Sequence, residues 1–383
     1  MRPMLRTLLG GTMLCLPLFA VTPGLAADKN NASVLPKAAV PAKPEAAAKP
    51  AAATRPAAKW VVPRTPWGDP DLRGQWPIDY LASTPRERPA QYGNRAELTD
   101  DEYQVALQAA EKQATLYDRE EKAGKLGMGH WTERGKPLRQ TSLTVEPANG
   151  RMPPPTEEGK KRSETMKSSW TEKYWEWTDD FNSFDRCITR GMPASMLPGA
   201  YNMGIAVWQS PGYVAIQLEM IHETRIIPLD GRGAPPAPVK NWLGYSRGHW
   251  EGNSLVIETT NFVPGVPLGN SGGPRPVPNS DQMVMKERLT PIDHDTIRYE
   301  AWITDPVTLT APFKLDFPWH RNDKYVIYEY ACHEGNIQLR GFIEGTSPKL
   351  AGERKAHWQA QGLDAKEGAP GDFPEIGVTR QAP

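Results

Sequence analysis

His222, Glu287, Tyr330, His333 and Glu334 are the side chains best suited to moving a proton near neutral pH, and Arg225 and Arg247 are suited to holding an anion. Successive side chains of a strand face opposite ways, so spacing says which of these residues share a side. Over 213–222, Val214, Ile216, Leu218, Met220 and His222 fall on one face, and His222 ends an apolar row. Over 283–289, Met283, Met285, Glu287 and Leu289 are in phase, with Lys286 and Arg288 opposite. Glu287 is thus a carboxylate on an apolar side, where it needs a partner, a proton or a wet cavity.

The stretch from Tyr328 to Asn336 reads as the end of a strand over 325–332 and its exit loop. Tyr328, Tyr330 and Cys332 share a face there, and His333 and Glu334 open the loop. Trp250 and Trp302 add indole surfaces that stack on a sugar or aromatic ring. Converging in one hollow, this set would support elimination, isomerisation or hydrolysis. His222 or His333 would act as base or acid, Tyr330 would donate, and Glu287 or Glu334 would orient a histidine. Arg225, Arg247, Trp250 and Trp302 would hold the substrate. The competing reading is a satisfied polar network that locks strand ends.

Other motifs fall short of a named chemistry. His222-Glu223 and His333-Glu334 resemble the start of a zinc-binding helix motif, but Ile226 and Ile337 stand where its second histidine belongs. A metal set of His222, His333 and a carboxylate is the one such arrangement left open, and no metal or cofactor is expected. Ser195 lacks the flanking glycines of a nucleophile elbow. The Gly-rich run from Gly269 to Pro278 follows no strand-to-helix pattern, so it reads as a loop and not a phosphate cradle.

The elements that must position these residues are mainly strands. Candidates lie at 204–209, 213–222 extended by 223–228, 254–262, 283–290, 296–304, 312–317 and 325–332, and Arg247 and Trp250 enter a further one. Pro, Gly, Asn and Asp clusters separate them. This predicts an antiparallel barrel or sandwich over 186–350, wrapped by an N-terminal loop and helix segment over 60–185. The Gly-x-Trp triplets Gly74-Gln75-Trp76 and Gly248-His249-Trp250 hint at a calycin-type barrel. Upstream, Thr99 to Glu102 is a capping-box pattern that opens a helix over 99 to about 123, with Tyr103, Ala106, Leu107 and Ala110 as its stripe. Short strands are expected at 74–76 and 140–146, and a polar helix over 156–170. Trp170, Tyr174, Trp175, Trp177, Phe181 and Phe184 form an aromatic run that reads as a packed collar.

Composition bounds the function. The chain has 383 residues with 45 basic and 45 acidic side chains, which lacks the basic footprint of a nucleic-acid binder. Its mean hydropathy of −0.58 excludes a polytopic membrane protein. Residues 1–26 read as a secretory signal: Arg2 and Arg6, a short apolar run, then Gly24-Leu25-Ala26. Residues 27–59 are an Ala/Pro/Lys-rich tether without core-forming side chains, and 351–383 form a C-terminal tail. Loss of the signal removes Cys15 and leaves Cys187 and Cys332, which would pair in an oxidising compartment. Closing so long a loop is worth about 5 kcal/mol in the chain-entropy account.

Several segments resemble a large uncharacterised family of exported bacterial proteins. They are TPWGDPDL from Thr65, MLPGAYN from Met196, IHETRIIPLDGR from Ile221, SRGHWEGNSLVIETTNF from Ser246 and YEYACHEGN from Tyr328. The resemblance implies an envelope location and carries over no activity. The sequence therefore points to a periplasmic or secreted protein without a transmembrane segment once the signal is gone. It would take a small organic ligand, a saccharide or aromatic fragment, into a barrel pocket. The alternative is a non-catalytic envelope-binding module.

Overall fold

The computed structural model describes residues 60–125, 127, 135–170, 175–269 and 276–346. The expected signal, tether and C-terminal tail lie outside them, as do Tyr174 and most of the Gly-rich loop. Among the described residues ten strands run in chain order: β1 (Gly74–Gln75), β2 (Thr144–Glu146), β3 (Ile205–Ser210), β4 (Tyr213–Leu218) and β5 (Thr224–Pro228), then β6 (Tyr245–Glu251), β7 (Ser254–Thr260), β8 (Val284–Pro291), β9 (Thr296–Thr304) and β10 (Phe313–His320). They form two wholly antiparallel sheets, one in the order β1-β3-β4-β5 and one in the order β2-β10-β9-β8-β7-β6.

Period-2 alternation decides which face of each sheet turns inward. Ile205, Val207, Val214, Ile216 and Ile227 of the smaller sheet share one core with Leu255, Ile257, Met285, Leu289, Tyr299, Phe317 and Trp319 of the larger. The fold is thus mainly β with two facing sheets, and the barrel alternative is corrected, because edge strands β5 and β6 are neighbours without being hydrogen-bonded. Gly248 on β6 explains how closely they approach. A Cβ there would lie 2.8 Å from Ile227 and 2.9 Å from Leu229, so only glycine fits. The Gly-His-Trp triplet marks a sheet-to-sheet contact, not a calycin barrel.

The N-terminal segment is woven into both layers. It supplies β1 to one sheet and β2 to the other, and Leu72, Trp76, Ile78 and Leu81 enter the core. The helix expected from the capping box forms as α1 (Asp100–Ala114), with Thr99 and Glu102 exchanging their bonds. Thr115 then interrupts it before α2 (Leu116–Lys122). Its stripe residues Tyr103, Ala106, Leu107 and Ala110 are only half-buried, so α1 is a surface element. The second helix is shorter than expected, α3 (Glu157–Thr165). Two short helices follow the sheets, α4 (Cys332–Gly335) and α5 (Gln338–Thr346). Among the described residues, no helix is long and apolar enough to cross a membrane.

Two strand assignments need correction. The alternation over 213–222 does not continue as strand: β4 ends at Leu218, and Ile221 and His222 take left-handed backbone angles (φ 61° and 45°) that turn the chain back into β5. That conformation is costly for a β-branched residue, and burial of Ile221 in the core holds it in place. Residues 325–331 are not a strand either. The segment is anchored by a side chain instead of a ladder: Tyr328 N–H donates to Glu219 and Tyr325 Oη–H donates to the same carboxylate.

One polar contact crosses the core. Arg225 from β5 grips Glu287 from β8 through two bonds of 2.9 and 2.5 Å, with both side chains essentially inaccessible. Tyr299 donates to the same carboxylate at 2.9 Å, and Ser246 and Thr259 accept from the guanidinium. Burial opposes the charge on Arg225, but Glu287 more than offsets it and keeps the pKa raised. Burial, and then the neighbouring Glu287, push the Tyr299 phenol well above its ordinary value, so it stays a donor. Removing one partner strands a buried charge. Arg225→Met should therefore lower unfolding free energy by about 3–5 kcal/mol, while Arg225→Met with Glu287→Met recovers most of it. Urea unfolding of the two variants checks this; equal losses in both would contradict it.

Candidate functional site

The polar residues singled out in the sequence do not converge in one hollow. Arg225 and Glu287 are sealed between the sheets as a structural pair, so neither reaches substrate. Arg247 lies on the outer face of β6, paired with Glu258 of β7 at 2.5 Å. Trp302 lies on the outer face of β9, under the Lys314 ammonium at 4.7 Å. Trp250 faces inward and packs against the core. His333 and Glu334 are exposed on α4, and among the described residues no three His, Cys, Asp or Glu side chains gather to hold a metal ion. What the structure does bring together is His222 and Tyr330: the imidazole Nδ1 lies 3.0 Å from the Tyr330 carbonyl.

That contact belongs to a corner built by three chain segments. Cys187 and Cys332 form a disulfide with a Cα separation of 5.7 Å, joining the irregular loop 183–202 to the arm 325–336. Asn336 donates to the Asp185 carbonyl beside it. Glu219 secures the other end of the arm, accepting from Asn202, the Gly204 N–H, Tyr325 and the Tyr328 N–H. Tyr201 and Tyr330 stack across the junction with centroids 6.5 Å apart. The expected aromatic collar is split. Trp175 and Phe181 pack with Phe342 of α5, whereas Trp170 and Trp177 are exposed.

Two clefts open on this corner, separated by Phe184 and Tyr201. One, of about 540 Å³, is walled by the arm and α5. The other, of about 520 Å³, is lined by Thr84, Arg86, Leu143, Phe184, Arg190 and Tyr201, among others. Both are of a size that suits a small molecule.

Arg190 sets the second cleft apart. Among the described residues three arginines are buried: Arg88, Arg190 and Arg225. Arg225 has Glu287, and Arg88 donates to the Thr141 hydroxyl at 2.7 Å and the Ala148 carbonyl at 2.5 Å. Arg190, 7% exposed, has only the Leu197 carbonyl at 3.5 Å and the Met203 thioether at 3.1 Å. Burial without a paired carboxylate pulls its pKa down to about 10. Such a group is expensive to bury unless an anion completes it.

The one carboxylate among the described residues whose charge acts on Arg190 is Glu223, the residue before β5. The Thr189 hydroxyl donates to its Oε2 at 2.8 Å and in turn accepts from the Gly191 N–H. Burial pushes the Glu223 carboxyl up to about 7, against the opposing pull of Thr189, the Arg190 backbone and the charges of His222 and Arg190. Gly191, at φ 74°, is required in this turn because a Cβ would lie 2.0 Å from Val266. The Tyr330 phenol is also raised, first by burial and then by Tyr201.

No protein-family model, curated protein or solved structure matches the chain.

The sequence reading missed Arg190 and Glu223. Arg190 stands in an irregular stretch where no periodicity tells which way a side chain faces. Glu223 was visible only as half of a failed zinc pattern, although its place beside Thr189 and Arg190 required the left-handed turn at 221–222.

A carboxyl raised in the folded state stabilises fully below its unfolded value of 4.5, and that stability is lost as pH rises through about 7. Glu223→Gln should therefore raise the melting temperature at about pH 9, by the equivalent of at most about 3 kcal/mol, and change little below about pH 4.5. Differential scanning calorimetry at both ends checks this; a difference independent of pH would contradict it.

Proposed function

We propose that this is an exported protein that captures a small organic anion, a carboxylate carried on an apolar or aromatic body, in the cleft lined by Arg190. The single observation that carries this reading is the buried guanidinium of Arg190, which borders the cleft and has no carboxylate partner among the described residues. A guanidinium offers a planar fork that matches a carboxylate in two parallel bonds. Phe184, Leu143 and Tyr201 provide the apolar wall against which the body of such a ligand would lie. Arg86 stands on the same rim, where its own pair with Glu87 leaves it partly solvated. Export is supported by the signal-like leader, by the resemblance to exported bacterial proteins and by a disulfide that suits an oxidising compartment.

Groups that transfer protons stand around this site: Glu223, raised to about 7, is bonded to Thr189 behind the cleft and lines neither cleft, Tyr201 lines both, and Tyr330 lines the one walled by the arm and α5. Turnover would require a ligand proton within reach of one of them.

Arg190→Met separates ligand binding from folding. Truncating the partner of a desolvated ion pair weakens binding by about 2–5 kcal/mol, a loss of thirtyfold or more. Removing an uncompensated buried charge, by contrast, is neutral or stabilising. At about pH 6 the variant should melt no lower than the wild type and should lose the thermal shift given by benzoate, hexanoate or gluconate. Absence of any shift in the wild type with all three anions, or shifts that persist in Arg190→Met, would overturn the reading.

A further inference from the structure

We propose that the anion site is proton-linked: a carboxylate seats on Arg190 together with a proton on Glu223, so that the protein takes up one proton for each anion it binds. The inference rests on the anion-binding reading above and adds its regulation. Glu223 is held beside Arg190 by the Thr189 hydroxyl at 2.8 Å, and both acid and base are largely withdrawn from water. It is the one carboxylate among the described residues whose charge acts on Arg190. In the empty site an ionised Glu223 acts on Arg190 through its charge, without a hydrogen bond to the guanidinium among the described residues. An incoming carboxylate then makes two anions facing one guanidinium in a poorly solvated corner, and like charges so placed cannot both stay ionised at low cost. A proton on Glu223 resolves the conflict.

The geometry fixes Glu223 in this role. The left-handed turn at Ile221 and His222 brings Glu223 to the loop 183–202, where the Thr189 hydroxyl orients its carboxyl, and Ile221 is buried in the core. The charged and titratable groups around it are few. His222, on its own turn, is exposed and meets the Tyr330 carbonyl. Arg190 faces it from the loop, and Tyr201 and Tyr330 act on Arg190 from the loop and the arm. Glu219 is occupied by four donors from neighbouring segments. The burial that raises the Glu223 carboxyl to about 7 places the switch within the physiological range.

Isothermal titration of the whole protein with benzoate, from about pH 6 to about pH 9 in bis-Tris and Tris, tests the linkage. Both buffers are cationic acids, so neither competes for an anion site. Affinity should be flat at the acid end and fall about tenfold per pH unit above about pH 7. The buffer dependence of the heat should report close to one proton taken up at the alkaline end and none at the acid end. Glu223→Gln should bind with a flat profile and, at the alkaline end, more tightly than the wild type; His222→Gln should keep the wild-type slope. Binding that is independent of pH, or a slope that survives in Glu223→Gln, would overturn the linkage while leaving the anion site intact. No binding at any pH would overturn both.

Discussion

A guanidinium taken out of water must be compensated, and this protein meets that constraint in two opposite ways. Arg225 is answered by a paired charge: Glu287 bridges it across the core with Tyr299 donating to the same carboxylate, and Ser246 and Thr259 accept from its Nη2. That pair joins one sheet to the other, and loss of either partner alone would strand a buried charge. Arg190 is left with a long carbonyl contact and a sulfur. The same residue type at similar burial is structural in one place and poised in the other, and the difference lies in what surrounds it.

The poised arginine depends on a corner that no regular element would build. Loop 183–202 is largely buried yet irregular, so its backbone groups must find partners outside a helix or sheet ladder. Thr189, Gly191 and Glu223 satisfy part of that demand, and the disulfide ties the loop to the arm that roofs it. Glu219 performs the same service for the arm at its other end. Positioning a charged group from loops is imprecise unless something pins them, and here a covalent bond and a four-donor carboxylate supply the pins.

Much of the scaffold was legible in the sequence, because strand alternation is a local property. The phase of Met283, Met285, Glu287 and Leu289 placed a carboxylate on the apolar side of β8, where it stands. The capping box at Thr99 and the pairing of Cys187 with Cys332 were equally readable. The failures share a cause. Alternation ran unbroken through Met220 and His222, but the chain turned at Ile221, a conformation that nothing in a β-branched residue advertises. Residues 325–332 looked like a strand but lie in neither sheet, held by the Glu219 carboxylate instead. Arg190 sits where no period exists, so only coordinates could show that it faces a cleft and lacks an anion.

The most direct measurement is a crystal structure of the protein grown with 4-bromobenzoate near pH 6, with the bromine located by its anomalous scattering. One bromine peak is expected in the cleft beside Phe184 and Tyr201, with the carboxylate bonded to Arg190 through two nitrogens. A cleft without bromine, with the Arg190 guanidinium turned to pair directly with the Glu223 carboxylate, would contradict it.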